Sequence, residues 1–176
     1  MGLLGLGSLF LPQQVGAQYG NTLNLGLGVG GHYGYFGYYG RTVPLVNVNY
    51  EFDVAKNFTV APFVAFASFN RVRRINGVNY RFYETVIPVG AKAFYYFDEL
   101  FNLRKDWDIY AGASLGFAIV RSRWDDNYPY NRDFFAGANP LFLDLHVGAQ
   151  YNVNNKIGLF LDLSGISTFG VAIKMK

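Results

Sequence analysis

The chain has 176 residues, a length that suits one domain. Hydrophobic residues make up 51% and aromatics 19%, yet mean hydropathy is barely above zero, so apolar residues must alternate with polar ones. A formal charge of +3 is too small to suggest nucleic acid, and the absence of cysteine excludes a disulfide framework and thiolate chemistry. No stretch offers the ~18 consecutive apolar residues of a membrane helix, so any membrane crossing must be made by strands.

The chain begins with an apolar run, GLLGLGSLFLP, followed by Val15-Gly16-Ala17 ahead of Gln18. Small residues after a short apolar run look like a secretory cleavage site, so 1–17 reads as a signal-peptide remnant and 18–176 as the domain.

From Asn21 to Tyr33, Leu23, Leu25, Leu27 and Val29 alternate with Asn24, Gly26 and Gly28. An aromatic loop with glycine breakers follows, to Gly40. Thr42 to Phe52 reads as the return strand, with Val46, Val48 and Tyr50 against Asn47, Asn49 and Glu51; a short turn spans Asp53 to Asn57. Phe58 to Phe69 is apolar on both faces. There Val60, Val64 and Phe66 suit a lipid face, and Thr59, Ala61, Ala65 and Ala67 a crowded interior. Asn70 to Arg81 reads as a polar loop. Phe82 to Phe97 alternates again, and Asp98 to Asp106 is a charged connection.

Trp107 to Arg121 sets Ile109, Ala111, Leu115, Phe117 and Ile119 against Asp108, Tyr110, Gly112, Ser114 and Gly116; Ser122 to Gly137 reads as a long loop. Pro140 to Val153 carries the clearest signal. Leu141, Leu143, Leu145, Val147 and Ala149 alternate with Asp144, His146, Gly148 and Gln150, over about a dozen residues where a usual strand has five or six. After Asn154-Asn155, Lys156 to Ser164 sets Leu159 and Leu161 against Asp162. Thr168–Lys176 sets Phe169, Val171 and Ile173 against Gly170, Ala172 and Lys174.

The tally is about eight strands, each able to show one face to hydrocarbon and the other to a polar lumen. The predicted fold is all-β: a closed antiparallel up-and-down transmembrane barrel. Three prolines, Pro44, Pro62 and Pro88, fall within strands, where each removes a ladder donor; bulges or strand ends would accommodate them. Aromatics gather at strand ends, with Tyr50, Phe52, Tyr95, Phe97, Trp107 and Tyr151 at one rim and Tyr33, Tyr35, Phe69, Tyr83 and Phe169 near the other, as membrane girdles would.

WDIYAGASLGFAIVR, LFLDLHVGAQYNV and the closing TFGVAIKMK resemble the small eight-stranded outer-membrane barrels of Gram-negative bacteria, of the OmpX/OmpA transmembrane type. The resemblance spans 18–176 and is one of pattern. It implies an outer-membrane location with both termini periplasmic, contact with outer-membrane lipid and lipopolysaccharide, and insertion by the outer-membrane assembly machinery. It leaves room for a place in a larger outer-membrane protein complex. The last strand departs from the family in ending Met175-Lys176 where the family usually ends on an aromatic.

Seven residues that could carry chemistry project inward in this register: Glu84, Lys92, Asp108, Asp144, His146, Asp162 and Lys174. Side chains just fill an eight-stranded barrel, so these charges must pair, and they read as a structural network with Lys92 and Lys174 each meeting an acid. As a general base, His146 would need a nucleophile such as Ser114 or Ser164; as a metal ligand it has only His32 for company. No His-x-Ser spacing occurs, and GLGVGG at Gly26–Gly31 lacks the following helix of a phosphate loop. Neither a metal nor another cofactor is expected.

Arg41, Arg71, Arg73, Arg74, Arg123 and Arg132, with Arg81 and Arg121, gather at the loop rim, where they could meet lipopolysaccharide phosphates or a partner protein. The functional expectation is a non-enzymatic structural or accessory barrel. Two alternatives remain: a soluble lipocalin-like cup with apolar residues inside, and a lipid A-modifying barrel enzyme.

Overall fold

In the computed structural model, which describes residues 21–30, 43–101, 106–124 and 141–175, the period-two segments form one closed sheet. Its strands are β1 (Thr22–Gly30), β2 (Val43–Ala55), β3 (Phe58–Ile75), β4 (Val78–Tyr96), β5 (Trp107–Trp124), β6 (Leu141–Asn152), β7 (Ile157–Leu163) and β8 (Ile166–Lys174), with one helical turn, α1 (Asp98–Phe101), between β4 and β5. Each strand pairs antiparallel with its neighbour in sequence, and β8 returns to β1, from Thr22–Lys174 to Gly30–Ile166. The predicted signal segment 1–17, the aromatic loop with Tyr33 and Tyr35, Arg41 and Arg132 lie outside the described residues.

The facing of the side chains decides between the barrel readings. Leu143 and Leu145 are 73% and 74% exposed and Leu161 50%, whereas Asp162 is 2% exposed. Apolar residues therefore look outward and polar ones inward, the reverse of a lipocalin cup. The β3 segment follows the same rule: Thr59, Ala61, Ala65 and Ala67 are buried, and Val64 and Phe66 exposed.

The interior is narrow, and glycines make room for rings. A Cβ on Gly112 would lie 2.6 Å from the Phe94 ring, and one on Gly148 would run into the Tyr110 ring. Phe94, Tyr96, Tyr110 and Ala61 form one buried cluster; Leu45, Phe63, Ala65, Val86 and Ile166 belong to another.

Pro62 and Pro88 are accommodated differently from the expectation, without a bulge or a strand end. Pairing of β2 with β3 skips from Asn49–Phe63 to Phe52–Val60, around Pro62, and pairing of β3 with β4 skips from Val64–Val89 to Ala67–Val86, around Pro88. Register is kept across both gaps. On its other side each proline stays in the ladder, as Pro62–Ala91 and Pro88–Ala118. A residue's N–H points to one neighbour only, so a proline opens one ladder and leaves the other whole. Pro44 sits at the start of β2. The one register shift between β2 and β3 falls elsewhere, at Asp53/Ala55.

The predicted loop 70–81 is not a loop. β3 and β4 run on, paired, to Ile75–Val78, and turn through Asn76 (φ 49°) and Gly77 (φ 83°). Two successive positive φ angles make a type I′ hairpin, and Asn-Gly is the dipeptide that favours it. β5 likewise runs past the predicted end at Arg121, pairing Phe82 with Trp124. By contrast, described pairing of β2 with β3 begins at Leu45–Ala67, and of β6 with β5 at Leu141–Phe117. β3, β4 and β5 thus rise beyond the rim as a three-stranded extension. Its base is packed by Phe82 against Trp124, ring centroids 4.7 Å apart, with Ile75 and Tyr80 beside them.

Gly77 has nothing within 4 Å of where a Cβ would stand, so Gly77→Val tests backbone strain alone. A non-glycine residue at left-handed φ costs about 1–2 kcal/mol. Hydrogen exchange of the Ile75 and Val78 amides should speed up roughly 5–30-fold, while thermal unfolding of the barrel as a whole stays put.

Candidate functional site

Alternation sends every second residue inward, and register then decides which inward residues meet. In the middle of the lumen, Gly112 of β5 stands opposite His146 of β6, and Gly148 of β6 opposite Asp162 of β7. Ser114 and Asp162 are therefore diagonal neighbours of His146 on either side. His146 Nε2 lies 2.9 Å from Ser114 Oγ, and His146 Nδ1 lies 2.8 Å from Asp162 Oδ1. An ionised carboxylate only accepts, so Nδ1 carries the hydrogen; in a neutral imidazole Nε2 then accepts from the serine hydroxyl. From β4, Lys92 Nζ reaches the other oxygen of Asp162 at 3.3 Å, and lies 5.6 Å and 5.9 Å from the Phe63 and Phe94 ring centroids. Ser114, His146, Asp162 and Lys92 are each less than 5% exposed.

Serine, histidine and aspartate stand here in the order of a nucleophile, a base and the group that orients the base. Residue spacing along the chain did not reveal this, because the three are brought together only by strand register. Beside them is a cavity of about 10 Å³ lined by Asn47, Phe63, Lys92, Ser114, Asp144 and His146 among others. That volume is room for about one water. Asn47 is 2% exposed and its Oδ1 has no hydrogen-bond partner among the described residues. Asp144 is half-buried on the cavity wall; its Oδ1 accepts from the Leu145 backbone N–H at 2.9 Å.

A second cluster lies toward the end of the barrel that carries the short turns, and the sequence reading did not single it out. Glu51 of β2 accepts from Thr59 Oγ1 (2.6 Å) and Tyr96 OH (2.5 Å) on one oxygen, and from Asn24 Nδ2 (3.1 Å) on the other. Asn24 also donates to Asn49 Oδ1 at 2.9 Å. One buried carboxylate thereby gathers donors from β1, β3 and β4. Close to the same end, Asp108 Oδ2 accepts from Asn152 Nδ2 at 2.7 Å, and Asn152 Oδ1 accepts from Gln150 Nε2 at 2.9 Å.

The seven inward residues of the sequence reading lie at different heights in the barrel. Lys92 and His146 each contact Asp162, with Asp144 across the cavity. Glu84, 1% exposed, lies eight residues along β4 from Lys92, roughly 26 Å at ~3.3 Å per residue. Asp108 and the half-buried Lys174 belong to the turn end. Among the described residues no group of His, Cys, Asp and Glu is arranged to hold a metal ion.

The arginines sort by register as well. On the extension, Arg81 stands opposite Val72, Tyr83 opposite Arg123, Thr85 opposite Arg121 and Asn79 opposite Arg74. Arg74, Arg81, Arg121 and Arg123 are all exposed and share the outward face, continuous with Ile119 and Phe117 below. Arg71 and Arg73 occupy the alternate register positions, opposite Phe82 and Tyr80.

No family model matches the chain, and no curated protein matches it. The fold, however, is similar to that of solved barrels. Neisserial surface protein A aligns with a TM-score of 0.51 at 14% identity, over 88% of this chain and 96% of that one. A de novo designed transmembrane β-barrel aligns at 0.49 and 14% identity, over 94% and 100%. Ail, the attachment invasion locus protein of Yersinia pestis, aligns at 0.42 and 11%, over 87% and 92%. The resemblance to the small eight-stranded barrels thus reappears in three dimensions, as a likeness of fold.

Asp162 holds two partners, so Asp162→Ala would strand a buried ammonium at Lys92. Breaking such a pair on one side costs about 3–5 kcal/mol. Urea unfolding in lipid vesicles should show a loss of that order, and adding Lys92→Met should restore much of it. Unchanged stability in the single variant would deny the pair its role.

Proposed function

We propose that the chain is an integral barrel of a Gram-negative outer membrane, without enzymatic activity, whose interior polar network is structural and whose arginine-bearing extension contacts lipopolysaccharide. One observation carries the membrane reading. Leu143, Leu145, Leu115, Phe117 and Phe169 are more than half exposed on the outside of a barrel that keeps Glu51, Glu84, Lys92 and Asp162 inside, each at most 4% exposed. Water would penalise such an outer band; hydrocarbon would not. The domain spans 18–176 on this reading, and 1–17 is a signal-peptide remnant. Insertion by the outer-membrane assembly machinery and a place in a larger complex are compatible with it.

The lipopolysaccharide contact rests on the outward face of the extension. Arg121 and Arg123 stand directly above the apolar band, with Arg81 and Arg74 higher still and Tyr83 among them. That is the height at which a lipid layer presents its phosphates. The guanidinium fork pairs with two phosphate oxygens at once.

A second reading is favoured by the geometry of Ser114, His146 and Asp162: a hydrolase of the acyl-transfer type. Two features weigh against it. The serine is 3% exposed beside a cavity that holds about one water. In addition, strand N–H groups are spent in the ladder, where a tetrahedral intermediate would need free donors.

Three measurements separate these readings. Membrane fractionation and a heat-modifiability gel should place the protein in the outer membrane as a compact barrel; recovery as a soluble protein without detergent would sink the proposal. The combined Arg74→Gln, Arg81→Gln, Arg121→Gln and Arg123→Gln variant should fold normally yet bind lipopolysaccharide more weakly, with a flatter salt dependence than the parent. Undiminished binding would remove the phosphate contact. Incubation with a small sulfonyl fluoride should leave the intact mass unchanged, whereas an adduct lost in Ser114→Ala and in His146→Ala would bring the hydrolase forward.

A further inference from the structure

The β4–β5 connection also departs from its sequence reading. Composition marks 98–106 as charged, yet its described residues include Leu100 and Phe101, which are 73% and 60% exposed. These two residues belong to α1, a single turn anchored at its N-terminal end. Asp98 Oδ1 accepts from the Ile109 backbone N–H at 3.0 Å, the Phe97 N–H donates to the Ile109 carbonyl at 2.8 Å, and the Phe101 N–H donates to the Phe97 carbonyl at 3.0 Å. The turn is therefore fixed against the start of β5.

Ring contacts say which way it faces. Tyr95 is 45% exposed on the outer wall of β4. Its ring centroid is 5.1 Å from that of Phe97, and Phe97 is 6.0 Å from Phe101. This series leads from the outer wall of the barrel to α1, and so sets Phe101 outside the wall and not beneath the lumen. Alongside, Trp107 and Tyr151 are outward and paired, ring centroids 5.1 Å apart. The other described connections at this end are the polar Lys56-Asn57 and Val153-Asn154-Asn155-Lys156, with a single apolar residue.

We propose that α1 is an interfacial foot. Leu100 and Phe101 sit at the boundary between headgroups and acyl chains of the phospholipid leaflet on the turn side, and set the depth of the barrel in the bilayer. This rests on the membrane reading above. The occupant is lipid, because the foot continues the belt of Tyr95, Trp107 and Tyr151, and amphipathic rings favour that boundary.

The test places single tryptophans in the full chain, in a background with Trp107→Phe and Trp124→Phe. Leu100→Trp and Phe101→Trp probe the foot, Leu143→Trp the middle of the barrel wall, and Lys156→Trp a water-facing turn. Each protein is reconstituted into phosphatidylcholine vesicles carrying bromines either near the headgroups or near the chain ends. Position 143 should lose most fluorescence to the deep bromines. Positions 100 and 101 should lose more to the shallow ones, with emission blue-shifted from that at 156. Quenching at 143 with none at 100 and 101 would overturn the foot and leave the membrane barrel standing, and a concentration-dependent blue shift there without quenching would hand the surface to a second copy of the chain. No quenching at 143 would take down both.

Discussion

Closure of the backbone ladder is the constraint on which the rest depends. Hydrocarbon offers no partner for an N–H or a carbonyl, so a sheet that faces it must have no free edge. Here the pairing of β8 with β1 supplies the last seam. Once eight strands close, the interior is only as wide as the side chains that fill it. Glycine then becomes a spacing device, as where Gly148 lies under the Tyr110 ring and Gly112 under Phe94. Closure thus dictates both the greasy outside and the crowded inside.

Crowding raises the stakes for every polar group within. A charge that cannot reach water must find hydrogen bonds on neighbouring strands, and the two best-described carboxylates do so in the same manner. Glu51 draws donors from β1, β3 and β4, and Asp162 from β4 and β6. β4 contributes Tyr96 to one and Lys92 to the other, and so ties the two clusters together. The serine, histidine and aspartate in the middle follow from the same rule. Side chains that satisfy one another in a dry interior can adopt the order of a catalytic relay while leaving no space for a substrate. Geometry of that kind is evidence for chemistry only when a path and a pocket accompany it.

Much of this was legible in the sequence because hydrocarbon enforces a strict period of two. The alternation of Leu143, Leu145 and Leu161 with Asp144, His146 and Asp162 announces both the strands and their facing. Legibility stops at the rim. Above the rim no apolar partner is required, so Asn70 to Arg81 lost its greasy signal and read as a loop; the Asn76-Gly77 dipeptide was the cue that remained, a turn signal that outweighs polar composition. Trp124 was misread for the same reason. The site was legible residue by residue but not as a constellation. Ser114 and His146 are 32 residues apart and His146 and Asp162 16. Moving β6 by two residues against both of its neighbours would keep every facing and change both contacts, since diagonal neighbours depend on register alone. Glu51 was placed on the inner face and still overlooked, because its donors, Asn24, Thr59 and Tyr96, are neutral and carry no charge pattern.

Strand length shows how the two ends of the barrel divide their work. β7, β8 and β1 have seven to nine residues, close to the ~9–11 needed to cross a bilayer, whereas β3, β4 and β5 have 18 or 19. The surplus is neither slack nor loop. A two-residue turn joins β3 to β4, and Phe82 against Trp124 packs its base. Arginines on such a sheet are held at the ~6–7 Å interval of alternate strand residues. A ligand that presents several phosphates in a layer then meets charges already in position, and little ordering entropy is lost on contact. A mobile loop of the same composition would have to be ordered first. On the proposed reading, a preformed sheet above the rim is what would make an anionic lipid surface a better fit to this face than a single soluble anion.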